Sequence, residues 1–104
     1  MARYYHVAGN DYQDGDAIYC WDRLMEMGLV NDADWKWEDA EVGFDGDVVC
    51  LFRSMHEARA FVRDFGGGAV LVVDVPEDAR VIRVAEGYPA VYDMIPAEWI
   101  VGQE

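Results

Sequence analysis

Apolar runs long enough to cross a bilayer are missing from this chain of 104 residues. No stretch reaches the roughly eighteen consecutive apolar residues that a spanning helix needs. The N-terminus, "MARYYHV", also lacks the charged, apolar and small-residue succession of a secretory signal. Together these absences set the expectation of a cytoplasmic protein without membrane contact. Cysteine is scarce: Cys20 and Cys50 stand far apart, each in an apolar patterned segment, and read as buried free thiols rather than a disulfide or a metal pair. Positive charge is scarcer relative to its opposite, with 8 Lys and Arg against 21 Asp and Glu and a net charge of −13 at pH 7. A field of that sign repels phosphate backbones and disfavours direct nucleic-acid binding. It fits a solvated acidic surface, or a decoy that imitates DNA or docks on a basic protein. The acidic residues are scattered among apolar and aromatic ones rather than gathered in runs.

Several chemistries lack their motifs. "GGG" at 66–68 follows a helical pattern instead of opening one, which excludes a phosphate-binding glycine loop and reads as a helix end. His6, His56, Cys20 and Cys50 match no zinc spacing. Asp11, Asp14 and Asp16 crowd as in a calcium loop, but the central glycine and closing glutamate are not where an EF-hand needs them. Ser54 with His56, or Cys50 with His6, has no supporting nucleophile motif.

Present instead is an apolar, aromatic chain: 53% hydrophobic residues, with four Trp, six Tyr and four Phe. That composition folds, and the length makes it one domain over 1–104 with a single modest core. "RYYHVAGNDY" at 3–12 alternates like a strand, with Tyr5 and Val7 on one face and Tyr4, His6 and Ala8 on the other, stopped by Gly9-Asn10. His6 is either a hydrogen-bonded core or rim residue or the start of a binding site. Ile18, Trp21, Leu24, Met25 and Leu29 recur at helical spacing, with Asp14 or Asp16 as cap and Gly28 as end. The acidic stretch 30–45 reads as an ordered loop holding Trp35 and Trp37, which either anchor it to the core or line a cleft as a lid.

"DVVCLF" suits a buried strand, and Ser54 with Glu57 spells a capping box before the stripe Ala58, Phe61, Val62, Phe65. "AVLVVDV" predicts a central strand, "RVIRV" an alternating one, and "EGYPAVYDM" a strand that Pro89 makes an edge or a bulge. "IPAEWIV" closes the chain as a turn with a last strand or helical turn. The order predicts an α+β fold: a small, mainly antiparallel or mixed sheet with two main helices.

A strand carrying a histidine, then the strand-to-helix unit "DGDVVCLFRSMHEARAFVRDFG", a valine-rich strand and the late "EGYPAVYDMIPAEWI" form a layout that spans nearly the whole chain. It resembles the ADP-ribosyltransferase-like families, including small NAD-using domains of the RNA 2'-phosphotransferase and poly(ADP-ribose) polymerase type. The resemblance implies that His6 holds the adenosine ribose of NAD. It implies that Phe52, Arg53 and Ser54 form a second motif, and that Glu86 is the catalytic carboxylate beside Tyr88. The chain departs from the pattern at Ala8, where a glycine or hydroxyl is usual, in a second motif without a tyrosine, and after Glu86, where Gly-Tyr-Pro follows.

The implied activity is transfer of ADP-ribose from NAD to a protein or nucleic-acid acceptor. Cleavage of the nicotinamide bond develops positive charge on the sugar, which a carboxylate such as Glu86 stabilises. Tyr4, Trp35, Trp37, Phe52 and Tyr88 offer ring faces, and Arg53 with the helix start at Ser54 offers positive charge for a pyrophosphate. The plainer readings are an exposed turn carboxylate for Glu86 and a surface ion pair for Arg53. The alternative from another class is a non-catalytic acidic binding protein, an inhibitor, regulator or DNA mimic, acting on a basic partner.

Overall fold

Alternation in the first strand places two different cores on its two faces, and the rest of the fold is arranged around that strand. The structure is a computed structural model; it describes residues 1–9, 12–28, 46–84 and 87–104. Strand β1 (Ala2–Val7) is followed by β2 (Ile18–Tyr19), helix α1 (Trp21–Glu26), β3 (Val48–Cys50), helix α2 (Met55–Phe65) and β4 (Val70–Val75). Then come β5 (Ile82–Arg83), β6 (Pro89–Tyr92), β7 (Met94–Ile95), a 3-10 turn (Ala97–Trp99) and β8 (Ile100–Gln103). The described residues form a compact α+β domain with two α-helices, and every strand pairing among them is antiparallel.

The strands pair in the orders β1-β4-β8, β2-β7 and β3-β6-β5. Continuous Val and Leu put β4 in the centre of its sheet, as a strand buried on both faces should be. Past the end of β3, Tyr5 and Phe52 exchange both backbone hydrogen bonds, at 2.9 and 2.7 Å, so β1 has β4 on one edge and this segment on the other. Asp93, between β6 and β7, has φ 71°, a left-handed conformation that an aspartate tolerates better than most residues. Its N–H donates to the Asp47 carbonyl and its own carbonyl accepts from the Cys20 N–H, which hands the chain from β3 to β2.

Leu51, Leu71, Val73, Val75 and Ile95 fill the inner core, with Tyr4 of β1 and Ala8 just past its end packed into it. On the opposite face of β1, Tyr5 and Val7 meet Phe52, Val70 and the α2 residues Met55, Ala58, Phe61 and Val62. The capping box is realised: the Ser54 hydroxyl accepts the Glu57 N–H at 3.1 Å, while the Glu57 carboxylate accepts the Arg53 N–H at 3.3 Å.

Three local expectations change. Ile18 and Tyr19 form β2 against β7 rather than the first turn of α1, which starts at Trp21 with the Cys20 thiol, not an aspartate, accepting the Arg23 N–H at 3.4 Å. Pro89 opens β6, the middle strand of its sheet, where a first position spares the ladder the missing N–H. The glycines at 66–68 do more than end α2. A Cβ on Gly67 would stand 2.6 Å from the Val7 side chain, and one on Gly68 2.6 Å from the Gly9 carbonyl oxygen. The chain needs that closeness, because the Gly68 N–H donates to the Ala8 carbonyl and the Ala8 N–H to the Ala69 carbonyl.

Candidate functional site

The inner-core face of β1 ends in a hollow of about 610 Å³, within the range of a small-molecule site. His6, Ala8 and Gly9 form one wall, and Tyr12, Asp16 and Tyr19 line it from the following turn and β2. The turn is held by its own backbone. Tyr12 N–H donates to the Gly9 carbonyl and Asp16 N–H to the Gln13 carbonyl, while the Asp16 carboxylate accepts from the Gln13 N–H at 3.2 Å and Gly15 takes φ 93°.

His6 stands 2.8 Å by Nδ1 from the Cys50 carbonyl. A carbonyl only accepts, so Nδ1 carries the proton and donates, which leaves the Nε2 lone pair of the neutral ring as an acceptor. Burial pushes the imidazole pKa below its ordinary value, although the bond to Cys50 acts the other way. Burial, with the nearby Asp14 and Asp16 charges, pushes the Tyr12 phenol up, so it stays a protonated donor. The hollow therefore combines ring faces, a neutral acceptor, a hydroxyl donor and a carboxylate.

A second groove, of about 340 Å³, lies on the α2 side and is lined by Phe52, Arg53, Glu57, Phe61, Phe65 and Tyr88 among others. Its rings form a ladder. Tyr88 meets Phe52 edge-on at 5.8 Å between centroids, Phe52 meets Phe61 at 5.3 Å and Phe61 meets Phe65 at 5.0 Å. Phe65 is 57% exposed at the end of the row. The Arg53 guanidinium donates to the Gly87 carbonyl.

The structure thus brings Phe52, Arg53 and Tyr88 together, with Ser54 beside them as the cap of α2. It places His6 at the other hollow, on the face of β1 that looks into the inner core. Glu86, Trp35 and Trp37 lie outside the described residues. Tyr12, Asp16 and Tyr19 join His6 without having been singled out for this role. Their signal was the turn pattern at Asp14-Gly15-Asp16, which reads equally well as a helix cap or a calcium loop fragment. No protein-family model, no curated protein and no solved structure matches the chain.

Proposed function

We propose that this chain is an ADP-ribosyltransferase-like domain that binds NAD at the His6 hollow and transfers ADP-ribose to a protein or nucleic-acid acceptor. The observation that carries the reading is the fixed, neutral His6 in a hollow with aromatic and acidic walls. An Nε2 acceptor suits a ribose hydroxyl, and the ring faces of Tyr12 and Tyr19 suit a planar heterocycle. The nicotinamide ring of NAD is cationic, so the Asp16 carboxylate favours it where a phosphate would be repelled. Transfer breaks the bond between ribose C1' and the nicotinamide nitrogen, which leaves with the bonding pair. The acceptor's lone pair then forms the new bond to C1' and the acceptor sheds its proton. Glu86 carries the role of stabilising the positive sugar from the resemblance alone; its neighbours Gly87 and Tyr88 stand at the α2 groove and not among the residues that line the His6 hollow.

Calorimetric titration with NAD tests this. Wild type should bind, His6→Ala should bind at least about tenfold more weakly, and Glu86→Ala should bind but release no nicotinamide. Equal NAD affinity in wild type and His6→Ala, with both folded by circular dichroism, would overturn the assignment. A second reading, the non-catalytic acidic binder, draws on one observation: among the described residues Arg3, Arg23, Arg59 and Arg63 are each paired with a carboxylate and no charged residue is buried. Absence of NAD binding, together with salt-sensitive capture of a basic protein, would favour it.

A further inference from the structure

We infer that the α2 groove docks an arginine-bearing segment of a basic partner protein, the guanidinium lying on Phe65 beside Asp64. Rings and acids share this groove. Phe52, Phe61, Phe65 and Tyr88 line it as a row, and Glu57 and Asp64 add two exposed carboxylates. Glu57, Phe61 and Asp64 follow one another at spacings of four and three, so one stripe of α2 runs acid, ring, acid.

The row has a direction. At its Tyr88 end the Arg53 guanidinium donates to the Gly87 carbonyl, and the Arg53 N–H donates to the Glu57 carboxylate. A second cation is repelled there. At the other end Asp64 and Phe65 stand in the last turn of α2, where the helix carbonyls add partial negative charge. Asp64 pairs with its neighbour Arg63 at 3.2 Å, both groups being exposed, and a pair of that kind contributes too little to hold off an incoming cation.

Arginine meets both features of that end at once. Its planar guanidinium stacks on a ring while its edge donates to a carboxylate. The fold already uses an arginine in this way: Arg23 lies over the Tyr19 ring, 5.7 Å from its centroid, and pairs with the Asp93 carboxylate at 2.7 Å. One guanidinium covers one ring, and the row holds four, so the rest of the groove, about 340 Å³ in all, suits the apolar neighbours of that arginine in an extended segment. The net charge of −13 attracts such a segment and repels a nucleic-acid strand. The groove lies on the opposite face of β1 from His6, so docking there does not depend on NAD binding.

The test titrates the full chain with the end-blocked tripeptide arginine-leucine-arginine, followed by NMR at about 0.15 M salt, where charges beyond about 8 Å are screened. The peptide should shift ring resonances of Phe61 and Phe65. Asp64→Asn should weaken it about twofold or more. Phe65→Leu keeps an apolar side chain at an exposed position but removes the ring, and should weaken it about two- to fivefold. Asp78→Asn removes the same charge beyond the end of β4 that pairs with Ala2, away from α2, and should leave the affinity unchanged. His6→Ala should bind the peptide as wild type does, and the peptide glutamate-leucine-glutamate should not bind. Equal losses in Asp64→Asn and Asp78→Asn would assign the binding to the diffuse acidic field and overturn the proposal, as would wild-type affinity in Phe65→Leu or loss of the peptide in His6→Ala.

Discussion

The two faces of β1 come from alternate residues of one strand, yet they solve opposite problems. Tyr4 and Ala8 enter the inner core and His6 lines its hollow, and this histidine is kept neutral by burial and fixed by one backbone carbonyl. Tyr5 and Val7 enter the α2 layer, where the rings run outward to an exposed Phe65 and charged groups reach the surface. One face removes a titratable group from water and limits what it can do to accepting a hydrogen bond. The other leaves cations and an exposed ring in water. A two-residue period is enough to separate these environments by one pleat.

The comparison breaks most visibly in stability. Leu71 is fully buried in the inner core, and Leu71→Ala should cost about 2–5 kcal/mol, the lost transfer energy plus a cavity. Phe61 is half-buried in the α2 layer, so Phe61→Ala should cost clearly less than a fully buried phenylalanine would, despite the larger side chain. Denaturant midpoints of the two variants measure this. Equal or reversed losses would mean that the α2 layer, rather than the inner core, holds the fold.

A smaller effect tests how the two faces are tied together. Gly68 touches the end of β1, and a Cβ there would meet the Gly9 carbonyl at 2.6 Å, with the backbone unable to yield as a side chain would. Gly68→Ala should cost about 1–3 kcal/mol and, because Gly9 lines the hollow, also weaken NAD binding. An unchanged denaturation midpoint would show that the close approach is dispensable.

That contact also marks what was legible in the sequence. The box at Ser54 and Glu57, the central strand at 70–75 and the alternation of β1 are local patterns, and the fold keeps them. The three glycines read locally as a helix end, whereas their tightest demand comes from Val7 and Gly9, about sixty residues away in sequence. Cys20 displaced the aspartates as the cap of α1 because Ile18 and Tyr19 are claimed by β7. The shared contact of Arg53 and Arg83 with the Gly87 carbonyl was likewise invisible, since it joins the end of β5 to the residue before the cap of α2.

The smallest effect is that of one proton on His6. Burial lowers its folded pKa, while the unfolded chain titrates near the ordinary value of about 6.5. Above that value both states are neutral and the group's full contribution to stability is present. As pH falls below it, the unfolded chain takes up the proton first, so stability declines until the folded pKa is passed. Asp74, held low chiefly by its hydrogen bond from Arg3, adds a separate loss only in the carboxylate range at lower pH. Midpoints measured between about pH 7.5 and pH 5 should therefore fall in wild type and stay flatter in His6→Asn, which retains a short donor toward the Cys50 carbonyl. A wild type as flat as the variant would mean that His6 is solvated like any surface histidine. The contrast between the two faces of β1, and the neutral acceptor on which the NAD reading rests, would then fail together.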